Sequence, residues 1–133
     1  MASPIPKVEL RNIDLRYFTL DGETEAVSGF SLAVSPGEFV AIVGQSGCGK
    51  STLLSLIAGI LEPTNGDVLV DGSSVEGPSP ICGYMLQHDH LFEWRSILDN
   101  VLLGAEIQGH DRVTARTRAE SLLRGYGLGD FMA

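Results

Sequence analysis

The chain is poor in basic residues, in cysteines and in long apolar runs, and each shortage excludes a class of protein. Nine lysine and arginine residues stand against seventeen acidic ones, for a formal net charge of −8. Nonspecific nucleic-acid binding needs a surplus of positive charge, so we expect no nucleic-acid partner. No apolar run approaches the ~18–20 residues that cross a bilayer. Cys48 and Cys82 fit neither a disulfide framework nor a metal-ligand spacing. With no secretory signal at the N-terminus either, we expect a cytosolic protein.

The rest of the composition is typical of one globular α/β domain. The 133 residues are 44% hydrophobic and 20% charged, which suits a compact domain rather than a disordered chain. Five apolar residues in a row, Phe39–Val43, predict a strand that is covered on both faces of a parallel sheet. The other expected elements are strands within 8–20 and at 30–34, 68–70 and 84–86, and helices at 52–58, after Ser96, and at 111–124.

One motif carries chemistry. Residues 44–51 read G-Q-S-G-C-G-K-S, the spacing of a phosphate-binding loop, and they lie between a predicted strand and a predicted helix. Gly44, Gly47 and Gly49 allow the backbone to curl until its amides point inward. Lys50 supplies positive charge for the outer phosphates, and Ser51 supplies a hydroxyl for Mg²⁺. The motif alone leaves kinases, GTPases and transport ATPases open, as well as a glycine-rich turn without a ligand.

The wider chain resembles the nucleotide-binding domain of ATP-binding cassette (ABC) transporters over nearly all of its length. The matching segments are 35–44, 46–54, 57–59, 66–68, 70–72 and 83–87. Residues 75–78, 91–96 and 99–101 look like the importers for nitrate, sulfonate or taurine. The resemblance implies an α/β P-loop NTPase fold with an N-terminal antiparallel β subdomain and the P-loop core at about 1–87. The start of a helical subdomain would follow at 88–133.

The resemblance also implies ligands, partners and residue roles. ATP and Mg²⁺ would bind at Tyr17, Gly44, Gln45, Ser46, Gly47, Cys48, Gly49, Lys50, Ser51 and Thr52. Lys50 and Gln87 are the expected catalytic residues, and Ser51 and Gln87 the expected Mg²⁺ ligands. Tyr17 and Phe18 point to opposite faces of a strand, so only one of them can stack on adenine. Tyr17 is favoured, and core packing is the alternative role for that ring. Two such subunits would pair and would contact a transmembrane permease through residues 88–96, on the inner face of the cell membrane.

Three further motifs of the family do not occur in this sequence. They are the Leu-Ser-Gly-Gly-Gln signature, an apolar strand that ends in Asp-Glu, and a later switch histidine. We therefore expect the chain to be the N-terminal part of a longer ATPase, and to bind nucleotide while hydrolysing it negligibly. The alternatives are a non-catalytic nucleotide-binding module, or another P-loop NTPase. An Asn-Lys-x-Asp guanine motif is absent as well, which disfavours a GTPase.

Weaker features each have two interpretations. His88 and His90 lack a third ligand at useful spacing, so we expect exposed loop residues rather than a metal site. Asp71 could end a metal-binding strand, but Gly72 favours a hairpin turn. Trp94 is either a permease contact or a core residue. Cys48 lies beside Lys50, and we expect its alkylation to block nucleotide entry; the alternative is a small side chain that does not react.

Overall fold

The computed structural model describes residues 5–20, 22–88 and 90–133, and the chain divides into two compact units, Met1–Tyr84 and Met85–Ala133. The first unit contains a four-stranded antiparallel sheet and one helix. The strands are β1 (Val8–Thr19), β2 (Gly22–Val34), β3 (Asn65–Val70) and β4 (Ser73–Ser74), in the order β2-β1-β3-β4. The helix α1 (Lys50–Ile57) lies between β2 and β3 in the chain.

A β-bulge places the apolar residues of β1 on one side of the sheet. Leu10 and Ile13 are three residues apart, a spacing that would put them on opposite faces of a regular strand. The register shifts between them, and Asn12 adopts a φ of +47°. The extra residue of the bulge therefore brings Leu10 and Ile13 back to the same face of the sheet. The resulting core joins the sheet to α1 through Leu10, Ile13, Leu15, Val27 and Val68 from the strands and Leu53 and Leu56 from the helix.

The second unit consists of two helices and a short 3₁₀ turn. They are α2 (Ile97–Ile107), α3 (Arg112–Gly125) and the turn Gly129–Phe131. Both helices begin at a side-chain cap: the Ser96 hydroxyl accepts a bond from the Asp99 amide at 3.1 Å, and the Asp111 carboxylate accepts one from the Thr114 amide at 2.8 Å. Such caps satisfy amides that have no acceptor within the helix. The small core of this unit contains Leu98, Leu102, Ala119 and Leu123.

The predicted helices are confirmed, but two predicted strands are wrong. Residues 39–43 and 84–86 form no strand. A strand needs a neighbour that completes its hydrogen bonds, and no described segment pairs with either of them. Phe39 and Val43 are therefore 96% and 87% exposed instead of buried. The sequence also predicts a turn at Asp21-Gly22, and Asp21 lies outside the described residues. In the described part of the chain, no helix has the length and apolar character to cross a membrane.

The Asp71–Gly72 turn is confirmed. Both residues adopt positive φ, +52° and +76°, and they connect β3 to the two-residue strand β4. The Asp71 carboxylate forms an ion pair with the Lys7 amine at 2.7 Å. Asp71 is thus a turn residue with a structural partner, and not the end of a metal-binding strand.

Candidate functional site

The loop 44–49 is curled, and its shape depends on glycine. Gly47 and Gly49 have φ values of +79° and +91°, in the left-handed region that side chains disfavour. A Cβ on Gly49 would lie 2.7 Å from the Ala26 carbonyl oxygen and 3.1 Å from a Val27 methyl group. The loop therefore packs directly on the backbone of β2. The Cys48 amide closes the curl by donating to the Gln45 carbonyl at 3.4 Å.

The start of α1 offers unpaired amides beside this loop. Gly49 precedes the helix, and no described side chain caps it. The first amide used within the helix is that of Leu53, which donates to the Gly49 carbonyl at 2.9 Å. The amides of Lys50, Ser51 and Thr52 thus have no intrahelical acceptor. Together with the helix dipole, which no acidic residue in the first turn offsets, they form a partial positive charge suited to an anion.

The Lys50 side chain folds back over the loop. Its ammonium group donates to the Gly44 carbonyl at 3.0 Å and to the Gln45 carbonyl at 2.5 Å, and it lies 3.5 Å from the Cys48 sulfur. These described contacts are all with uncharged groups, so they leave the positive charge uncompensated. A phosphate entering the curl would meet this ammonium group together with the helix amides.

The loop side chains predicted to bind nucleotide differ in exposure. Gln45, Ser46, Cys48 and Ser51 are exposed, and Thr52 is half-buried. The Ser51 hydroxyl therefore stands at the helix start with open access, and a hydroxyl there is an oxygen donor of the type that Mg²⁺ accepts. Thr52 lies one residue farther into the helix.

A cavity of about 260 Å³ adjoins the loop, and sequence reasoning missed its wall. The Lys50 and Cys48 side chains line one part of it. The other lining residues come from β2, from the segment before the loop and from α1: Ala26, Val27, Ser28, Phe30, Ile42, Val43 and Leu53. The residues of β2 are about twenty positions from the motif, and no local pattern connects them with it. Only the fold brings them together.

Tyr17 lies on the side of the sheet that carries α1. It is two residues beyond Leu15 on β1, and alternate residues of a strand share a face. Leu15 packs in the same core cluster as Leu53 of α1. Phe18, on the opposite face, is 75% exposed, whereas Tyr17 is 41% exposed. Of the two rings, Tyr17 is therefore the less exposed one, and strand alternation from Leu15 places it on the face that also bears α1.

The predicted site residues of the second unit are exposed. Gln87 and His88 form a bend and His90 follows it, while Asp89 lies outside the described residues. No cluster of three or more metal-binding side chains occurs among the residues described. Trp94 is 79% exposed, so the core interpretation of that residue is wrong. Sequence reasoning also missed Asn100, whose side chain binds the backbone of the segment before α2.

Comparisons with known proteins agree on one family. A profile described as "ABC transporter" matches residues 27–133. The uncharacterized ABC transporter ATP-binding protein YtlC of Bacillus subtilis (strain 168) is 43% identical over 114 residues, which are 86% of this chain and 44% of YtlC. The taurine import ATP-binding protein TauB of Burkholderia pseudomallei (strain 1710b) is 40% identical over 125 residues, 94% of this chain and 48% of TauB. The chain spans about half the length of the curated relatives it matches.

Solved structures give the same result. The dimeric structure of a post-hydrolysis state of the ATP-binding cassette MJ0796, bound to ADP and Pi, is 29% identical to this chain. Its TM-score is 0.78, over 88% of this chain and 56% of that one. A second dimeric structure of MJ0796, described as a bacterial ABC transporter cassette, has a TM-score of 0.79 at 28% identity, with the same coverage.

Proposed function

Because the chain belongs to the ABC transporter family and has the fold of an ABC ATPase cassette, we propose that it is the ATP-binding part of an ABC importer subunit. It binds MgATP through residues 44–52, and in the complete protein hydrolysis of the ATP drives solute uptake. The observation that carries this proposal is the curled loop itself. It combines the free amides at the start of α1 with the Lys50 ammonium group, whose positive charge has no charged partner among its described contacts.

Each residue of the loop has a distinct role in this proposal. The backbone amides of 44–52 hold the phosphates, and Lys50 leaves the Gly44 and Gln45 carbonyls to bind the outer phosphates, where negative charge is greatest. Ser51 and Gln87 are the proposed Mg²⁺ ligands, and the ion would supply further charge neutralisation. Tyr17 stacks on the adenine ring through its aromatic face. Gln45, Ser46, Cys48 and Thr52 complete the wall around the phosphates.

The partners follow from the family. We propose that two subunits pair around two nucleotides in the complete protein, and that residues 88–96 contact a membrane-embedded permease from the cytoplasmic side. Residues 1–87 would form the β subdomain with the P-loop core, and 88–133 the start of the helical subdomain. The TauB relatives are taurine import proteins, and they support a solute of the nitrate, sulfonate or taurine type.

A second function is favoured by one observation: the 133 residues contain no signature segment and no Asp-Glu strand. Phosphoryl transfer is catalysed mainly by positioning and charge stabilisation. A chain with only some of the residues that position and stabilise the transferring phosphoryl group would bind nucleotide and hydrolyse it negligibly. The chain by itself would then act as a nucleotide-binding module, whereas membership in the ABC family sets aside a small kinase or a GTPase.

Calorimetric titration with MgATP tests the binding proposal. A charge-assisted hydrogen bond contributes about 1.5–3 kcal/mol, so we expect Lys50→Ala to weaken affinity by roughly 10- to 150-fold. Lys7→Ala is the matched control, because Lys7 lies at the Asp71 turn and its loss should leave affinity unchanged. Equal affinity in Lys50→Ala and the unsubstituted chain would refute the proposed site.

Phosphate release by the same preparations tests turnover separately. We expect the unsubstituted chain to bind MgATP and to release phosphate no faster than Lys50→Ala. Turnover at about 1 s⁻¹ or above, the lower end of ordinary enzyme rates, that is lost in Lys50→Ala would show a working ATPase. That result would reject the module and leave the binding site intact.

A further inference from the structure

The segment that precedes α2 is held by one side chain. The Asn100 carbonyl oxygen accepts a hydrogen bond from the Phe92 amide at 2.8 Å. Its NH₂ group donates to the carbonyls of Phe92, Arg95 and Ser96 at 3.1, 3.2 and 3.0 Å. A single carboxamide therefore binds both ends of the segment 92–96, which we name the Trp94 loop. An amide is the side-chain group that both donates and accepts at this spacing.

Two further contacts brace the Trp94 loop. The Arg95 amide donates to the Phe92 carbonyl at 3.0 Å, which closes a tight turn. The Arg95 guanidinium reaches back to α2, where it contacts the Asp99 carbonyl at 3.3 Å and the Glu106 carboxylate at 2.9 Å. Although the residues of the loop are not helical, these contacts fix its backbone to the first turns of α2.

This braced backbone displays an apolar surface. Trp94 is 79% exposed, and its ring centroid lies 4.7 Å from that of Phe92, with an angle of 38° between the planes. Leu91, directly before the loop, is exposed as well. Exposed large apolar side chains on a fixed backbone are typical of docking surfaces rather than of free surface. Tryptophan in particular is enriched among residues that dominate binding.

We propose that Asn100 is a positioning residue for the permease contact: its carboxamide holds the Trp94 loop so that Trp94 is presented to the membrane partner. The inference rests on the proposed function, in which residues 88–96 contact a permease. Asn100 itself touches neither nucleotide nor partner in this proposal. It lowers the conformational entropy that the loop would otherwise lose on docking. Without its hydrogen bonds, the ring would be free to leave the docking orientation.

Asn100→Asp tests the positioning step in the chain itself. The variant keeps the shape of the side chain and the oxygen that accepts from the Phe92 amide, but it removes the NH₂ donor and places a carboxylate against three carbonyl oxygens. Each bond contributes about 0.5–1.5 kcal/mol, so we expect the Arg95 amide, which closes the turn by donating to the Phe92 carbonyl, to exchange with deuterium about tenfold faster or more. Trp94 is the only tryptophan, so its fluorescence anisotropy should fall. Asn65→Asp on β3 makes the same charge change and should alter neither signal.

The far-UV CD spectrum separates positioning from simple unfolding. We expect Asn100→Asp to retain the helical signal of α2 and α3 while the loop signals change. An unchanged exchange rate at the Arg95 amide would overturn the proposal. So would loss of the helical signal in parallel with the loop signals, because Asn100 would then be a structural residue of the whole unit.

Binding to membranes tests the docking step. The probe is a preparation of membrane vesicles from the native cell, with liposomes of the extracted lipids as the control. We expect Asn100→Asp and Trp94→Ala to reduce vesicle binding about tenfold, with MgATP affinity unchanged. If Trp94→Ala reduces binding and Asn100→Asp does not, positioning by Asn100 is refuted and the permease contact stands. If neither does, or if liposomes bind equally well, the permease contact of the proposed function fails, and the positioning role fails with it.

Discussion

Three glycine-to-alanine substitutions in the loop 44–49 separate the cost of backbone strain at positive φ from the cost of steric conflict at an added Cβ. Gly47 has a positive φ, but an added Cβ would meet nothing within 4 Å. Gly44 has no positive φ, but its Cβ would lie 2.7 Å from the Cys48 sulfur, the end of a movable side chain. Gly49 combines a φ of +91° with a Cβ 2.7 Å from the Ala26 carbonyl oxygen, which is backbone. The series therefore varies strain and steric conflict independently.

The expected costs follow from these geometries. A left-handed conformation costs a residue with a Cβ roughly 1–2 kcal/mol, and the loss of flexibility in the unfolded chain returns about 0.4–1 kcal/mol. Gly47→Ala should therefore lower the free energy of unfolding by about 1 kcal/mol or less. Gly49→Ala adds overpacking against a β2 carbonyl, which costs about 1–3 kcal/mol, for a total near 2–4 kcal/mol. Gly44→Ala should cost less than about 1 kcal/mol, because the sulfur can rotate away.

Native-state hydrogen exchange of the β1 and β2 amides measures the stability of the first unit alone, and titration with MgATP measures the loop. We expect affinity to fall least in Gly44→Ala and most in Gly49→Ala, since only the latter forces the loop backbone off β2. Gly104→Ala in α2 is the control for the substitution type. If Gly49→Ala were as stable as Gly47→Ala, the contact with Ala26 would carry no energy and the reasoning would be refuted.

Three further predictions concern single sites. Gly104→Ala should stabilise the second unit by about 0.5–1 kcal/mol, because the residue lies inside α2 and its Cβ meets nothing; a lower melting temperature would contradict this. Asp111→Ala should destabilise α3 at neutral pH. Hydrogen bonds from Thr114 lower the pKa of the Asp111 carboxyl below its ordinary value of 3.8, so this contribution is present above pH 3.8 and is lost as the pH falls through the lowered value. Urea unfolding should show a smaller difference between the variant and the unsubstituted chain at pH 2.5 than at pH 7. Iodoacetamide should block MgATP binding by modifying exposed Cys48, and MgATP should protect against it; a Cys48→Ala variant that is blocked equally would assign the effect to Cys82.

The local parts of the site could be predicted from the sequence. The motif 44–51 predicts the backbone conformation of the loop, because Gly47 and Gly49 adopt positive φ values that other residues disfavour. The helix starts at Ser96 and near Asp111 were also predicted, and in the structure each start has a side-chain cap that acts over three residues. Such features depend on neighbours in the chain, and sequence patterns record them directly.

The features that depend on distant partners could not be predicted in this way. Residues 39–43 have the composition of a buried strand, but a strand exists only where another segment supplies hydrogen bonds, and no described segment does so. Asn100 follows the Ser96 cap by one helical turn and looks like an ordinary first-turn residue. Its four bonds to the Trp94 loop depend on how the chain enters the helix, which composition and periodicity do not specify.

The position of the loop 44–49 is determined as much by β2 as by the motif. In the pairing of β1 with β2, Leu15 lies opposite Val27 and Arg16 opposite Glu25, so Ala26 has no opposite residue. A bulge of this kind turns the backbone away from regular pairing. The Ala26 carbonyl oxygen is the atom that a Cβ on Gly49 would contact too closely. The bulge and the third motif glycine therefore form one contact, and an alanine at position 49 conflicts with a strand more than twenty residues away. Tyr17 follows the same bulge by one residue on β1, so the strand pair that supports the loop also positions the ring proposed to bind adenine.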